Sequence, residues 1–199
     1  MKKIIAVFLM LLFSFQSTTK ADDIRDFEIE GMSIGDSLLD YFTKEEISKN
    51  TNKETNTKND HEFSAFFTDF PINLKTYEVY DYLRVEYLTN DKNFTIHGIT
   101  GMKDYKRENI QECYDLQKKI EKEFDKQFSS FKKRKKSFPS MYDETGKSKI
   151  TAIYYESKFG YAETSCYHFS NHVNYPSGID ISISSANLRE WLINLRRDN

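Results

Sequence analysis

The chain has 199 residues and a nearly balanced charge, with 29 Lys and Arg against 31 Asp and Glu and a formal net charge of −2. This balance argues against a general nucleic-acid binder, which would carry a basic excess. The two cysteines and four histidines leave little material for a metal centre, and we expect no metal and no cofactor.

The N-terminal segment has the pattern of a secretory signal peptide. Lys2 and Lys3 precede an apolar run from Ile4 to Phe13, and the polar stretch after it ends at Ala21. The apolar run is shorter than the roughly 20 residues that a membrane-spanning helix needs. We therefore expect cleavage near Ala21 and a periplasmic or secreted protein. An uncleaved membrane anchor is the alternative.

Residues 22–199 are expected to form one domain, and removal of the leader would shift its net charge to −5. A chain of this size buries roughly 70% of the surface that its unfolded form exposes. Cys113 and Cys166 are its only cysteines. An even number of cysteines in an exported chain predicts a disulfide between them, because the cytosolic reducing pool is absent there. Two buried free thiols are the alternative.

The first predicted elements are short. Alternation at 27–29 predicts a strand, the glycines of 31–35 predict a turn, and Asp36 or Ser37 can cap a helix that follows. A capping box at Thr43 and Glu46 predicts a second short helix. Residues 48–62 are rich in Asn, Thr and Lys, and we expect them to form a mobile surface loop.

Three strands are predicted next, at 63–71, 77–87 and 94–98, from alternating apolar positions and the turn at 89–91. In the second of these strands, Tyr80 and Tyr82 have the parity opposite to Val79, so they can line an exposed binding face. A long helix from about Glu108 to Phe131 then follows, because apolar residues recur at steps of three and four. Cys113 lies on its apolar stripe.

The second half repeats the strand pattern. Strands at 150–156 and 161–169 flank a predicted hairpin turn at 157–160, and alternating isoleucines predict a further strand around 179–183. Ser184 or Ser185 can cap a final helix. The predicted order is roughly α-βββ-α-βββ-α, which indicates an α+β fold with an antiparallel sheet and helices packed on one face.

Residues 31–38, Gly-Met-Ser-Ile-Gly-Asp-Ser-Leu, contain two short hydrolase motifs. Gly35 to Leu38 resemble the first block of the GDSL (SGNH) hydrolases, which implies Ser37 as nucleophile, and Gly31 to Gly35 fit the G-x-S-x-G elbow, which implies Ser33. No histidine follows an Asp by three residues, so the family's D-x-x-H block is missing. A serine without a positioned base is a weak nucleophile. We therefore favour a turn leading into a helix.

The stretch from Phe27 to Ile47, Phe-Glu-Ile-Glu-Gly-Met-Ser-Ile-Gly-Asp-Ser-Leu-Leu-Asp-Tyr-Phe-Thr-Lys-Glu-Glu-Ile, resembles the opening of small uncharacterised exported proteins of marine alphaproteobacteria of the SAR11 type. The likeness extends to a signal peptide and a later helix that carries a cysteine. It implies no activity. It does imply that the GDSL stretch is a structural opening.

Two further clusters have a functional and a structural interpretation. His168 and His172 follow Cys166 closely, but on a strand residues i and i+4 lie about 13 Å apart, so we expect ordinary histidines rather than metal ligands. Residues 132–136, namely Lys132, Lys133, Arg134, Lys135 and Lys136, could contact anionic lipid, lipopolysaccharide or an acidic partner. We favour a solvated helix end, where cations complement the helix dipole.

These observations predict an exported, non-catalytic module that binds a ligand or partner on one face of its sheet. A small serine esterase that uses Ser37 or Ser33 is the alternative. A protein or an anionic surface is the expected class of partner, and no nucleic acid is expected.

Overall fold

The computed structural model describes residues 23–52, 62–68 and 79–197, so the predicted signal peptide lies outside it. The described residues form an eight-stranded antiparallel sheet, a two-stranded hairpin and three α-helices. This confirms the predicted α+β class with an antiparallel sheet. None of the helices in these ranges is both long enough and apolar enough to span a bilayer.

A compact N-terminal segment precedes the sheet. In chain order it contains a 3-10 turn (Ile24–Asp26), the hairpin strands β1 (Glu28–Ile29) and β2 (Met32–Ser33), a second 3-10 turn (Leu38–Asp40) and the short helix α1 (Lys44–Asn50). Ser37 caps the second 3-10 turn by accepting a hydrogen bond from Leu39 N. Thr43 and Glu46 form the predicted capping box of α1.

The main sheet joins the two halves of the chain. Its strands are β3 (Thr51–Asn52), β4 (Phe63–Phe67), β5 (Tyr82–Leu88), β6 (Ile96–Tyr105), β7 (Lys132–Pro139), β8 (Lys149–Glu156), β9 (Gly160–His168) and β10 (Ser177–Ser185). Their order in space is β3-β4-β5-β6-β10-β9-β8-β7, with every neighbouring pair antiparallel. The last strand, β10, therefore lies between the two hairpin groups.

One face of the sheet, the closed face, carries the core. Helix α2 (Ile110–Gln127) packs across β9, β10 and β6 on this side, with Cys113, Gln117 and Phe124 turned inward. The N-terminal segment covers the rest, and Phe27 meets Phe124 edge-to-face at a ring-centroid distance of 5.2 Å. Because side chains alternate along a strand, every second residue of each central strand contributes to this core.

Among the described residues, helix α3 (Ala186–Arg197) covers one end of the other face, the open face. Leu188 packs over Gly98, where a Cβ atom would lie 2.5 Å from Leu188 Cδ2, and Trp191 meets Phe63 at 5.3 Å between ring centroids. Gly98 alternates with Ile99 of the core, so α3 lies opposite α2. The predicted placement of all helices on one face is therefore corrected for α3.

Three further expectations are corrected. Residues 48–50 end helix α1 and 51–52 form β3, so the predicted loop at 48–62 is wrong for these five residues, and 53–61 lie outside the described residues. The third predicted strand, β6, extends to Tyr105. The long helix stops at Gln127, and the basic residues after it form a strand, β7, which gives the second half four strands rather than three.

Candidate ligand-binding site on the open face

Small side chains form a row across the centre of the open face, and we call this row, together with the larger side chains that flank it, the trough. Thr100 of β6 pairs with Ser182 of β10, and Ser165 of β9 pairs with Ala152 of β8. The Oγ1 atom of Thr100 and the Oγ atom of Ser182 lie 3.0 Å apart. Thr100, Ser165 and Ala152 are at most 3% exposed, so the larger side chains beside them cover these small residues.

Strand β5 forms one wall of the trough. Arg84 and Glu86 are an ion pair, with 2.7 Å between Arg84 Nε and Glu86 Oε1. The Tyr82 hydroxyl donates a hydrogen bond of 3.1 Å to Asp104 Oδ1. The carboxylate of Glu86 raises the pKa of the Arg84 guanidinium, which therefore keeps its charge.

Strand β9 forms the opposite wall. Its Glu163 carboxylate accepts hydrogen bonds from the Tyr161 hydroxyl, at 2.9 Å, and from the Ser165 hydroxyl. The guanidinium of Arg189, on α3, lies 4.1 Å from the centroid of the Tyr161 ring, which is a cation–π distance. The α3 end of this wall is therefore fixed by packing as well as by hydrogen bonds.

Asp180 of β10 lies between the walls and is the most perturbed carboxyl group there. Burial raises its pKa to about 6, and the nearby Glu163 and Asp104 carboxylates add to the effect. The Tyr167 hydroxyl, which hydrogen-bonds to Asp180, and the Arg84 guanidinium act in the opposite direction. This carboxyl group therefore ionises at a higher pH than an ordinary aspartate.

The tyrosines of the site remain hydrogen-bond donors. Burial is the main cause of a raised pKa in Tyr82, Tyr161 and Tyr167, and neighbouring carboxylates raise these values further. Burial likewise raises the pKa of Asp104. The trough thus offers neutral phenols, two guanidinium groups and several carboxylates, which suits a polar ligand that can both donate and accept hydrogen bonds. Within the described ranges, no group of His, Cys, Asp and Glu side chains could hold a metal ion.

The two serines of the hydrolase motifs lie in the N-terminal segment and make local contacts. Ser37 Oγ donates to the Asn93 carbonyl at 2.6 Å, and Ser33 Oγ donates to the Phe27 carbonyl at 3.3 Å. Across the described part of the chain, neither hydroxyl is hydrogen-bonded to a histidine. The stretch instead joins the N-terminal segment to β6, since Gly35 N donates to the Ile96 carbonyl at 2.9 Å.

The basic run at 132–136 occupies the edge strand β7, so the predicted helix end was wrong. Three of its cations are ion-paired: Lys133 and Lys135 contact Glu121 of α2, at 2.6 and 2.5 Å, and Arg134 contacts Glu156 of β8 at 2.7 Å. Alternation along the strand sends Lys133 and Lys135 toward α2. Lys132 and Lys136 lie on the other side and are exposed.

The predicted disulfide is confirmed. Cys113 of α2 and Cys166 of β9 are bonded, with 6.1 Å between their Cα atoms. Both residues are fully buried, and the bond ties α2 to the closed face. It is also consistent with an oxidising, exported location.

The described histidines lie on β6, on β9 and in the β9–β10 loop, whereas the two serines lie in the N-terminal segment. His97 Nδ1 lies 3.0 Å from Ser185 Oγ, and His61 lies outside the described residues. His168 ends β9 as predicted, and His172 follows in the next loop, where its Nε2 lies 3.4 Å from Lys147 Nζ. His168 and His172 line one cavity near this loop.

Sequence reasoning found Tyr82 but missed the rest of the polar cluster on the open face. Tyr80, its companion in the prediction, instead packs on Gly101 of the closed face. Arg84, Asp180 and Glu163 occupy the polar positions of strands whose apolar positions were used to predict the core. The signal was therefore present, since the polar half of each alternating pattern marks the second face, but only the strand order shows which polar residues are neighbours.

No protein-family model, curated protein or solved structure matches the chain. Function is therefore inferred from the geometry of the described residues, and the mixed polar cluster of the open face is the candidate site among them.

Proposed function

We propose that the protein is an exported, non-catalytic binding module that takes a small polar ligand in the trough of the open face. One observation carries the proposal: the central strands place small side chains along the middle of the sheet, between walls of tyrosine, arginine and carboxylate side chains. Ligand sites commonly contain a few fixed polar groups that orient the ligand, and the side chains that flank the row supply such groups.

The chemistry of the walls favours a ligand with several amino or hydroxyl groups. The carboxylates of Glu86, Asp104, Glu163 and Asp180 are acceptors for such groups, and the tyrosine rings can stack on a sugar ring or face an ammonium ion. Arg84 is the principal cation between the walls. An anionic ligand would therefore meet more repulsion than attraction there.

Obstruction of the trough tests this proposal. The variant Ser182→Trp places a large ring on the floor, and Lys119→Trp, on the exposed side of α2, is the matched control. Both would be screened by melting temperature against amino acids, polyamines and mono- and disaccharides. At about 100 times its Kd, a ligand should raise the melting temperature of the wild type and the control by about 5 °C. The same compound should have no effect on Ser182→Trp, provided that circular dichroism shows this variant folded.

A compound that stabilises the wild type and Ser182→Trp equally would show that the trough is not the binding site.

A serine esterase is the rival function, and it follows from the GDSL-like stretch. Ester hydrolysis by the purified wild type that is lost in Ser37→Ala or Ser33→Ala would contradict the non-catalytic proposal.

A further inference from the structure

A cavity of about 590 Å³ opens where β9 ends. Three segments meet there: the start of α2, the loop between β7 and β8, and the loop between β9 and β10. The polar side chains that line it are mostly basic or neutral: Arg107, Glu108, Lys147, His168, Ser170, Asn171 and His172.

The cations of this cavity lack counter-ions. Over the described residues, neither Arg107 nor Lys147 forms an ion pair with a carboxylate, although Glu108 is in the lining. Lys147 Nζ instead lies 3.4 Å from the Nε2 atom of His172. Within the part of the chain that the structure describes, Lys147 is thus a cation without an acid in direct contact, and its charge favours an anion in the cavity.

The carboxylate of Asp143, in the β7–β8 loop, already accepts hydrogen bonds from neighbouring loop residues. Asp143 accepts hydrogen bonds from the backbone and hydroxyl of Ser148, at 2.8 and 2.6 Å, and from the Ser170 hydroxyl at 2.7 Å. Further bonds come from Thr145. These contacts hold the pKa of Asp143 well below its usual range and keep its carboxylate inside the loop rather than in an ion pair with Lys147.

The start of α2 adds to the positive potential. A 3-10 turn at Arg107–Asn109 leads into the helix, and neither Lys106 nor Asn109 provides a side-chain cap. The first amides of a helix and its dipole favour an anion. The Nη2 atom of Arg107 also donates to the carbonyls of Val173, at 2.6 Å, and Tyr175, at 3.2 Å. These two bonds fix the β9–β10 loop, and with it His172, against the helix start.

We propose that this cavity binds a tetrahedral oxyanion, phosphate or sulfate, either free or as the charged group of a larger molecule such as a lipid. The site lies apart from the trough and has the opposite charge preference. It also differs from the basic run of β7, where Lys133, Arg134 and Lys135 are neutralised by acids of α2 and β8. Lys147 and His172 are the contact residues, and Arg107 is a positioning residue.

Titration with inorganic phosphate and with sulfate tests the proposal, with chloride used to hold the ionic strength constant. The readout is the amide NMR shifts of Glu108, Asn171 and their neighbours. The double variant Lys147→Gln/His172→Gln removes two exposed side chains, and Lys158→Gln, in the β8–β9 turn, is the control. Arg107 is left intact because its loss would release the loop.

We expect saturable binding with a Kd of a few millimolar or lower in the wild type and in Lys158→Gln, roughly tenfold weaker in the double variant. Small shifts that rise linearly and equally in all three proteins would overturn the proposal.

Vesicles with and without phosphatidylglycerol identify the source of the group. Sedimentation with the anionic vesicles that is lost in the double variant would assign the cavity to a lipid headgroup, even if free phosphate binds weakly. Sedimentation that the double variant retains, without saturable phosphate binding by the wild type, would contradict the assignment of this cavity.

Discussion

The two faces of the sheet are made by the same strands and yet differ in what holds them together. On β10, Ile179, Ile181 and Ile183 point to the closed face and are almost fully buried, whereas Asp180 and Ser182 point to the open face. The closed face is stabilised by apolar burial, at about 25 cal/mol for each Å² removed from water. The open face is held by hydrogen bonds and ion pairs, each of which contributes about 1 kcal/mol or less.

This difference indicates a division between stability and recognition within single strands. Substitutions on the closed face should change the free energy of unfolding, and those on the open face should mainly change binding. The three predictions below test this division, beginning with the largest effect.

The disulfide should contribute most to the closed face. Cys113 and Cys166 are separated by 53 positions, and a loop of that length contributes about 4 kcal/mol in the chain-entropy model. Cys113→Ser should therefore lower the midpoint of denaturant unfolding strongly, and reductant should lower that of the wild type by a similar amount. Reductant should not destabilise Cys113→Ser further. Two free thiols in unfolded, unreduced protein would show instead that the bond does not form.

Neighbouring residues of β10 provide a matched pair. Ile181 is 2% exposed on the closed face, and Ile181→Ala should lower the free energy of unfolding by about 3 kcal/mol through lost burial and a cavity. Ser182→Ala, one residue further along, should change it by about 1 kcal/mol or less, since it removes one hydrogen bond to Thr100. Urea unfolding of both variants measures the difference. Equal losses would contradict the division between the faces.

Ionisation of the Asp180 carboxyl group should lower the free energy of unfolding. Its pKa of about 6 lies above the unfolded value of about 3.9, so the folded state binds the proton more tightly. The resulting stability is fully present below about pH 4 and is lost as the pH rises through about 6. At pH 7, Asp180→Asn should be more stable than the wild type by about 2 kcal/mol, after allowance for partial exposure.

The measurement is the free energy of unfolding of both proteins from pH 3.5 to pH 7.5. The advantage of Asp180→Asn should be small at the acidic end and should grow between about pH 4 and pH 6. If Asp180→Asn were more stable than the wild type by the same amount at every pH, folding would not raise the pKa of Asp180, and this prediction would be contradicted.

Local signals in the sequence predicted much of the closed face. The apolar stripe of α2, the hairpin turn at 157–160 and the alternation of β10 each depend on residues close in the chain, and each was confirmed. The capping box at Thr43 was confirmed for the same reason. The disulfide was predicted from the cysteine count together with the placement of Cys113 on the apolar stripe.

The remainder depends on contacts between distant parts of the chain. Lys132 to Lys136 carry no apolar alternation, and they become a strand because β8 supplies their hydrogen-bond partners and α2 supplies carboxylates. The apolar stripe of α3 could pack on either face of the sheet, so the sequence of this helix does not predict which face it covers. The polar cluster of the open face needs the order in which β5, β6, β10 and β9 are paired, and no local pattern specifies that order.

The basic edge strand has a further consequence for the protein at high concentration. Strand β7 ends the sheet, and no strand among the described residues pairs with its outer side. Such an edge is a template on which another polypeptide can extend the sheet and begin an aggregate. Two copies that met along β7 would bring the exposed Lys132 and Lys136 of each copy together, and the mutual repulsion of these side chains would oppose the contact. The run from Lys132 to Lys136 thus disfavours self-association by sheet extension, whatever ligand the molecule binds.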